Sequence, residues 1–176
     1  MRTLYTAPIP PLNAVAGSAY NTSVTLTDVS PTPQIVLPAN LLDVGQVLRL
    51  CAFGVFSTTS APTLLLGFYY GGVAGTALAT TGAVTTGSGV TNVPFRLEYE
   101  GRVRSTGTGG TIMGQGFCDF GTSVSAVTHM PIPVTALSTV TIDTTTAKSL
   151  TVGAQWGTSS ASNTLTAHHF SVELIG

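Results

Sequence analysis

Few residues in this 176-residue chain are able to do chemistry: three histidines, two cysteines, six basic and seven acidic side chains. His168 and His169 are the most suggestive pair. On a strand, adjacent side chains point to opposite faces, so the two cannot share one metal ion. Phe170, Val172 and Leu174 set an inward phase that predicts His168 inside and His169 outside. The metal arrangement this leaves is a ring of one histidine from each subunit around an oligomer axis. His129 stands between Thr128 and Met130 with no acid near it in the sequence.

Glu98 and Glu100 share a strand face, with Cβ atoms about 7 Å apart from the strand rise. Paired carboxylates at short range can cleave glycosidic bonds. However, Arg96, Arg102 and Arg104 share the same face, so the run from Arg96 to Arg104 reads as a charge ladder, solvated or bridging subunits. Asp143 before Thr144 and Thr145 reads as a turn residue. Gly107-Thr-Gly-Gly-Thr lacks the following Lys-Ser/Thr and helix of a phosphate cradle. Gly87-Ser-Gly89 is not a nucleophile elbow, which needs Gly-x-Ser-x-Gly on a strand-to-helix turn. Cys51 and Cys118 lie far from any metal-ligand spacing and read as two buried free thiols, with a disulfide as the alternative. The aromatic residues, Phe53 and Phe117 among them, read mostly as core. No nucleophile sits beside a base at a recognisable motif, so the expectation is no enzyme, no cofactor and no metal.

The elements that must carry these residues are strands. Charged residues are only 7% of the chain, hydrophobic residues reach 43%, and the net charge is −1. Such a composition is neither disordered nor suited to neutralising phosphates, so nucleic acid is not an expected partner. Ser and Thr supply about a quarter of the residues and lysine occurs once, at Lys148. β-branched Thr suits a pleated surface and its hydroxyl keeps that surface wet. Between Arg49 and Arg96 no side chain carries a formal charge, yet no apolar run is long enough for a membrane helix. The first residues lack the apolar stretch of a secretory leader, so secretion by that route is not expected.

Period-2 patterns predict strands at 22–27, 33–37, 46–56, 63–70, 95–103, 111–120, 124–134, 139–142, 149–156 and 164–175. Glycine and serine clusters separate them, including a loop across 71–92. The expected fold is an all-β antiparallel β-sandwich of jelly-roll type with eight to ten strands, in one domain over 21–176. Residues 1–20 form an extended N-terminal arm, because Pro8, Pro10 and Pro11 forbid helix. Its apolar side chains at Leu4, Tyr5, Ile9 and Leu12, with Arg2 beside them, predict that the arm lies on its own domain or on a neighbour. A Thr- and Gly-rich surface poor in charge has weak protection against association, so an oligomer is expected.

The segments Pro38-Ala-Asn-Leu-Leu-Asp-Val-Gly-Gln-Val-Leu-Arg-Leu-Cys-Ala-Phe-Gly-Val-Phe-Ser and Leu150-Thr-Val-Gly-Ala-Gln-Trp-Gly-Thr-Ser-Ser-Ala-Ser-Asn-Thr-Leu-Thr resemble those of small jelly-roll virion proteins of tailed bacteriophages. The resemblance spans about residues 20–175 and carries no residue-level functional motif. It implies a capsid decoration (cement) protein, made in the host cytoplasm, a homotrimer bound to the major capsid protein on the outer surface of the head. The alternatives are a tail or fibre module that reads a host glycan through loops 71–92, 105–110 and 157–163, and the shell protein of a small non-tailed virus. Against the last, Arg2 is the only base in the arm.

Overall fold

A computed structural model describes residues 24–176 and the backbone of residues 3–6. The described residues form thirteen strands and no helix. In chain order these are β1 (Thr3–Thr6), β2 (Thr27–Asp28), β3 (Ile35–Leu37), β4 (Val47–Ser57), β5 (Thr63–Tyr70) and β6 (Thr76–Thr80). Then follow β7 (Val84–Thr85), β8 (Val93–Ser105), β9 (Gly110–Ser123), β10 (Ala126–Ile132), β11 (Val140–Ile142), β12 (Lys148–Trp156) and β13 (Thr164–Ile175).

The strands make two antiparallel sheets. The larger runs β1-β13-β4-β8-β9-β10, with β11 also on β9. The smaller runs β2-β12-β5-β6, with β3 also on β12 and β7 also on β5. Alternation puts one row of each strand into the space between them. Along β8 that row is Val93, Phe95, Leu97, Tyr99 and Val103; along β12 it is Leu150, Val152, Ala154 and Trp156. The rings of Phe56 and Phe120 stack at 4.9 Å, with Trp156 edge-on to Phe56 at 6.5 Å. Phe68 of the smaller sheet stacks on Phe170 of the larger at 5.8 Å, tying the layers together. Burying one such ring is worth about 1.5–3 kcal/mol.

Tyr99 fits because its neighbours lack side chains. A Cβ on Gly101 or Gly114 would come within 2.5 or 2.6 Å of the Tyr99 hydroxyl. These glycines serve close packing rather than a turn.

The all-β sandwich matches expectation, and most long strands fall within a few residues of their predicted limits. Thirteen strands replace the expected eight to ten. The expected loop at 71–92 contains β6 and β7, which hydrogen-bond to β5. The strand expected over 22–27 begins only at Thr27 among the described residues. Of the arm, Thr3–Thr6 pairs with the end of β13, Thr3 opposite Ile175 and Thr6 opposite Glu173. The arm thus touches its own domain at this point. Arg2, Ile9 and Leu12 lie outside the described residues, as do the side chains of Leu4 and Tyr5.

Candidate functional site

The site begins with the strand phase of β4. Leu48, Leu50, Ala52 and Phe56 face the core, so Arg49, Cys51, Phe53 and Val55 face outward. The same logic on β8 turns Arg96, Glu98, Glu100, Arg102 and Arg104 outward, as the ladder predicted. Antiparallel register then assembles rows across the larger sheet. One row runs Glu173–Arg49–Glu100–Gln115. The next runs Ser171–Cys51–Glu98–Phe117–Pro131. The third runs His169–Phe53–Arg96–Asp119–His129.

Within these rows the charges are largely paired. Arg49 Nε lies 2.6 Å from Glu100 Oε1, and Arg49 Nη1 lies 3.4 Å from Glu173 Oε2. The hydrogen bond to Glu100 raises the Arg49 guanidinium further above its ordinary value. Arg96 pairs with Glu98. Arg102 and Arg104 make no ion pair among the described residues, so the ladder ends in two free cations. Exposed pairs of this kind contribute about 0–1 kcal/mol each. Stability is therefore a weak reason for gathering them here.

Three expectations about this face need correction. His129 is not isolated from acids: Nδ1 lies 2.6 Å from Asp119 Oδ1, because the β9–β10 register puts the two residues opposite each other. His168 is not inward. A β-bulge between Ala167 and His169 inserts a residue and shifts the alternation, so His168 is exposed while Ala167 and Phe170 both face the core. Phe53 and Phe117 are not core residues; they are 47% and 44% exposed. Each stacks on a histidine, Phe53 on His169 at 4.8 Å and Phe117 on His129 at 4.7 Å. The outward phase of Phe53 was readable from its neighbours Ala52 and Phe56. The partner histidines were not, because they depend on register.

At one end of the face an open groove of about 350 Å³ lies over Pro94, between Phe53 and Val55 on one side and Asp119 and Val127 on the other. Arg96 and His168 also line it. Its lining surface is almost wholly apolar, although Arg96 and Asp119 are among the residues that form it.

The cysteines are free. Cys118 points into the core, where burial pushes its thiol up to about 12. Cys51 is half-buried on the opposite side of the same sheet; burial raises its thiol, and Arg96 opposes the shift. The disulfide alternative is thereby excluded.

Elsewhere, Asp143 is the turn residue expected. Its carboxylate accepts from Thr145 N at 2.9 Å, Thr145 Oγ1 at 2.6 Å and Thr146 Oγ1 at 2.8 Å. Those bonds, the Thr145 hydroxyl foremost, hold it down at about 2. Among the described residues no group of three His, Cys, Asp or Glu side chains is placed to hold a metal ion. The described residues contain no helix, and so none long and apolar enough to cross a membrane. No family model, no curated protein and no solved structure matches the chain.

Proposed function

We propose that this chain is a virion structural protein, a decoration (cement) protein of jelly-roll fold that binds the outer surface of a tailed-phage head as a homotrimer. It is an adhesive rather than an enzyme. Strand pairing supports the jelly-roll reading. A jelly roll is an antiparallel ribbon of eight strands, paired first with last and so inward, then rolled. Here β1 pairs β13, β2 and β3 pair β12, β4 pairs β8, and β5 pairs β6 and β7. Rolling would then join β13 to β4 and β12 to β5, and both ladders are present. On this reading β9, β10 and β11 are an insertion that widens the larger sheet.

The observation that carries the adhesive role is the segregation of groups. Four arginines, four of the seven carboxylates, all three histidines and two exposed phenylalanines share one sheet face, while Asp28, Asp43, Asp143 and Lys148 are the charged groups that the described residues place elsewhere. A rigid scaffold with one chemically distinct face suits a binding module. Bridging several shell subunits stabilises a shell by mass action, because the protein binds only the assembled state. Apolar arm side chains that become covered would add about 25 cal/mol per Å².

The test is addition of the purified chain to heads that lack it, followed by imaging. Trimeric density on the outer shell is the expected result. No binding overturns the reading, and closed shells formed by the pure protein would instead identify a small-virus coat. The groove favours one second reading, a glycan-binding tail module, since an exposed ring beside Arg96 and Asp119 can stack on and hydrogen-bond a sugar. Saturable binding to host cells, competed by free sugar, would establish it.

A further inference from the structure

We infer that Arg102 and Arg104 form a docking point for a short acidic protein segment, two carboxylates flanked by apolar side chains. The inference rests on the decoration reading and deepens it: the segment belongs to the shell protein, and these two arginines are where the face holds it.

The charges on the outer face of the larger sheet are not evenly spread. Antiparallel register places Ile175, Val47, Arg102 and Met113 in one row, at the end of the face where Thr3 of β1 meets β13. That row holds no carboxylate, and Arg104 lies just beyond it on β8. The rest of the face sets two arginines, Arg49 and Arg96, among four carboxylates, Glu98, Glu100, Asp119 and Glu173. One end of the face is thus cationic and the remainder net acidic. Arg49 and Arg96 are committed to those acids, Arg49 Nε lying 2.6 Å from Glu100 Oε1 and Arg96 pairing with Glu98. Arg102 and Arg104 are exposed and make no ion pair among the described residues. Asp43, in the turn that Gly45 ties to Val103, makes none with them either.

Two local features set the pair up. The row neighbours of Arg102, namely Ile175, Val47 and Met113, are half-buried, so its stem has apolar surface to lie along. At Arg104, β8 carries one residue more than β9: Val103 stands opposite Ile112 and Ser105 opposite Thr111. Such a bulge frees the extra residue from the ladder and re-aims its side chain. A guanidinium is a planar fork of N–H donors that matches a carboxylate two bonds at a time. Three properties then choose the occupant. The acidic remainder of the face repels a long polyanion, so the anion is short, which disfavours nucleic acid. Residues two apart on a strand are roughly 7 Å apart, so a segment with two carboxylates at that spacing engages both arginines. The half-buried Val47, Met113 and Ile175 are covered only by a ligand with apolar groups of its own, which a free phosphate lacks.

The first test is NMR of the arginine Nε–H groups in the full chain, titrated with the end-blocked peptide Val-Glu-Val-Glu-Val and with its glutamine counterpart. The expected result is saturable shifts at Arg102 and Arg104, absent from Arg49 and Arg96, with the glutamine peptide about tenfold weaker or more. Equal binding of the two peptides, or shifts centred on Arg49 or Arg96, overturns the inference. The second test is occupancy of heads that lack the chain, comparing the parent with Arg102→Gln, Arg104→Gln and a control, Lys148→Gln, in the other sheet. Each arginine variant should bind about tenfold more weakly and lose less affinity on adding salt, while the control matches the parent. Arginine variants that occupy heads as the parent does overturn the inference and leave the decoration reading standing. Heads that bind no parent overturn that reading, and the peptide titration still decides whether the carboxylate site exists. Arginine variants whose oligomer mass falls below the parent's show that a second copy supplies the carboxylates, which overturns the shell segment as occupant.

Discussion

The hydroxyl of Tyr99 is buried and has no hydrogen-bond partner among the described residues, an arrangement that costs stability. Tyr99→Phe should therefore leave the unfolding free energy unchanged or raise it by up to about 1 kcal/mol, measured by urea titration. Gly116→Ala should lower it by about 1–3 kcal/mol, because the new Cβ would overlap the carbonyl oxygen of Glu98. Asp143 sets an acid-side limit. Folding lowers its carboxyl from 3.8 to about 2, chiefly through the Thr145 hydroxyl, so the folded state favours the charged form. Its contribution is complete above the unfolded value and is lost as pH falls through about 2. A melting series over that range should show a steeper acid decline in the parent than in Asp143→Asn. Equal slopes would mean the turn does not titrate as its hydrogen bonds require. The Arg96–Arg104 ladder could be read from sequence because it depends only on period 2 along one strand. The Asp119–His129 pair could not, because it depends on where the β9–β10 hairpin turns. His168 was misplaced for a related reason: a bulge is a backbone event with no side-chain signature of its own.

At the level of elements, β4, β5, β8, β12 and β13 stand out in the sequence because each alternates apolar residues over eight or more positions. β6 did not. Its Thr-Ala-Leu-Ala-Thr has weak β propensity and becomes a strand through its ladder with β5. β7 is two residues long, too short for any period. Pairing partners were also hidden, since β1 meets β13 from the far end of the chain. That ladder is open to a direct check. Removing residues 1–6 should speed amide exchange in the last turn of the ladder, around Glu173 to Ile175, and leave the centre of β13 protected by β4. Exchange unaffected by the truncation would mean that β1 does not hold that edge.

For the whole molecule, the pairing order implies slow folding. β2 and β3 must meet β12, and β1 must meet β13, across more than a hundred intervening residues. Loop closure of that length precedes any reward from the contacts, so refolding followed by the single, buried Trp156 should take milliseconds to seconds. Completion within the mixing time would contradict the topology. The same closure has a consequence for how the chain can be cut. Thr3 stands opposite Ile175, so the first and last strands are neighbours that merely lack a connecting loop. A short linker between them would turn the polypeptide into a ring. A new opening within 157–163, where the chain is mostly exposed, would then break no ladder. The linear order of this protein is thus one of several that encode the same shape, and circularly permuted chains should reach it too.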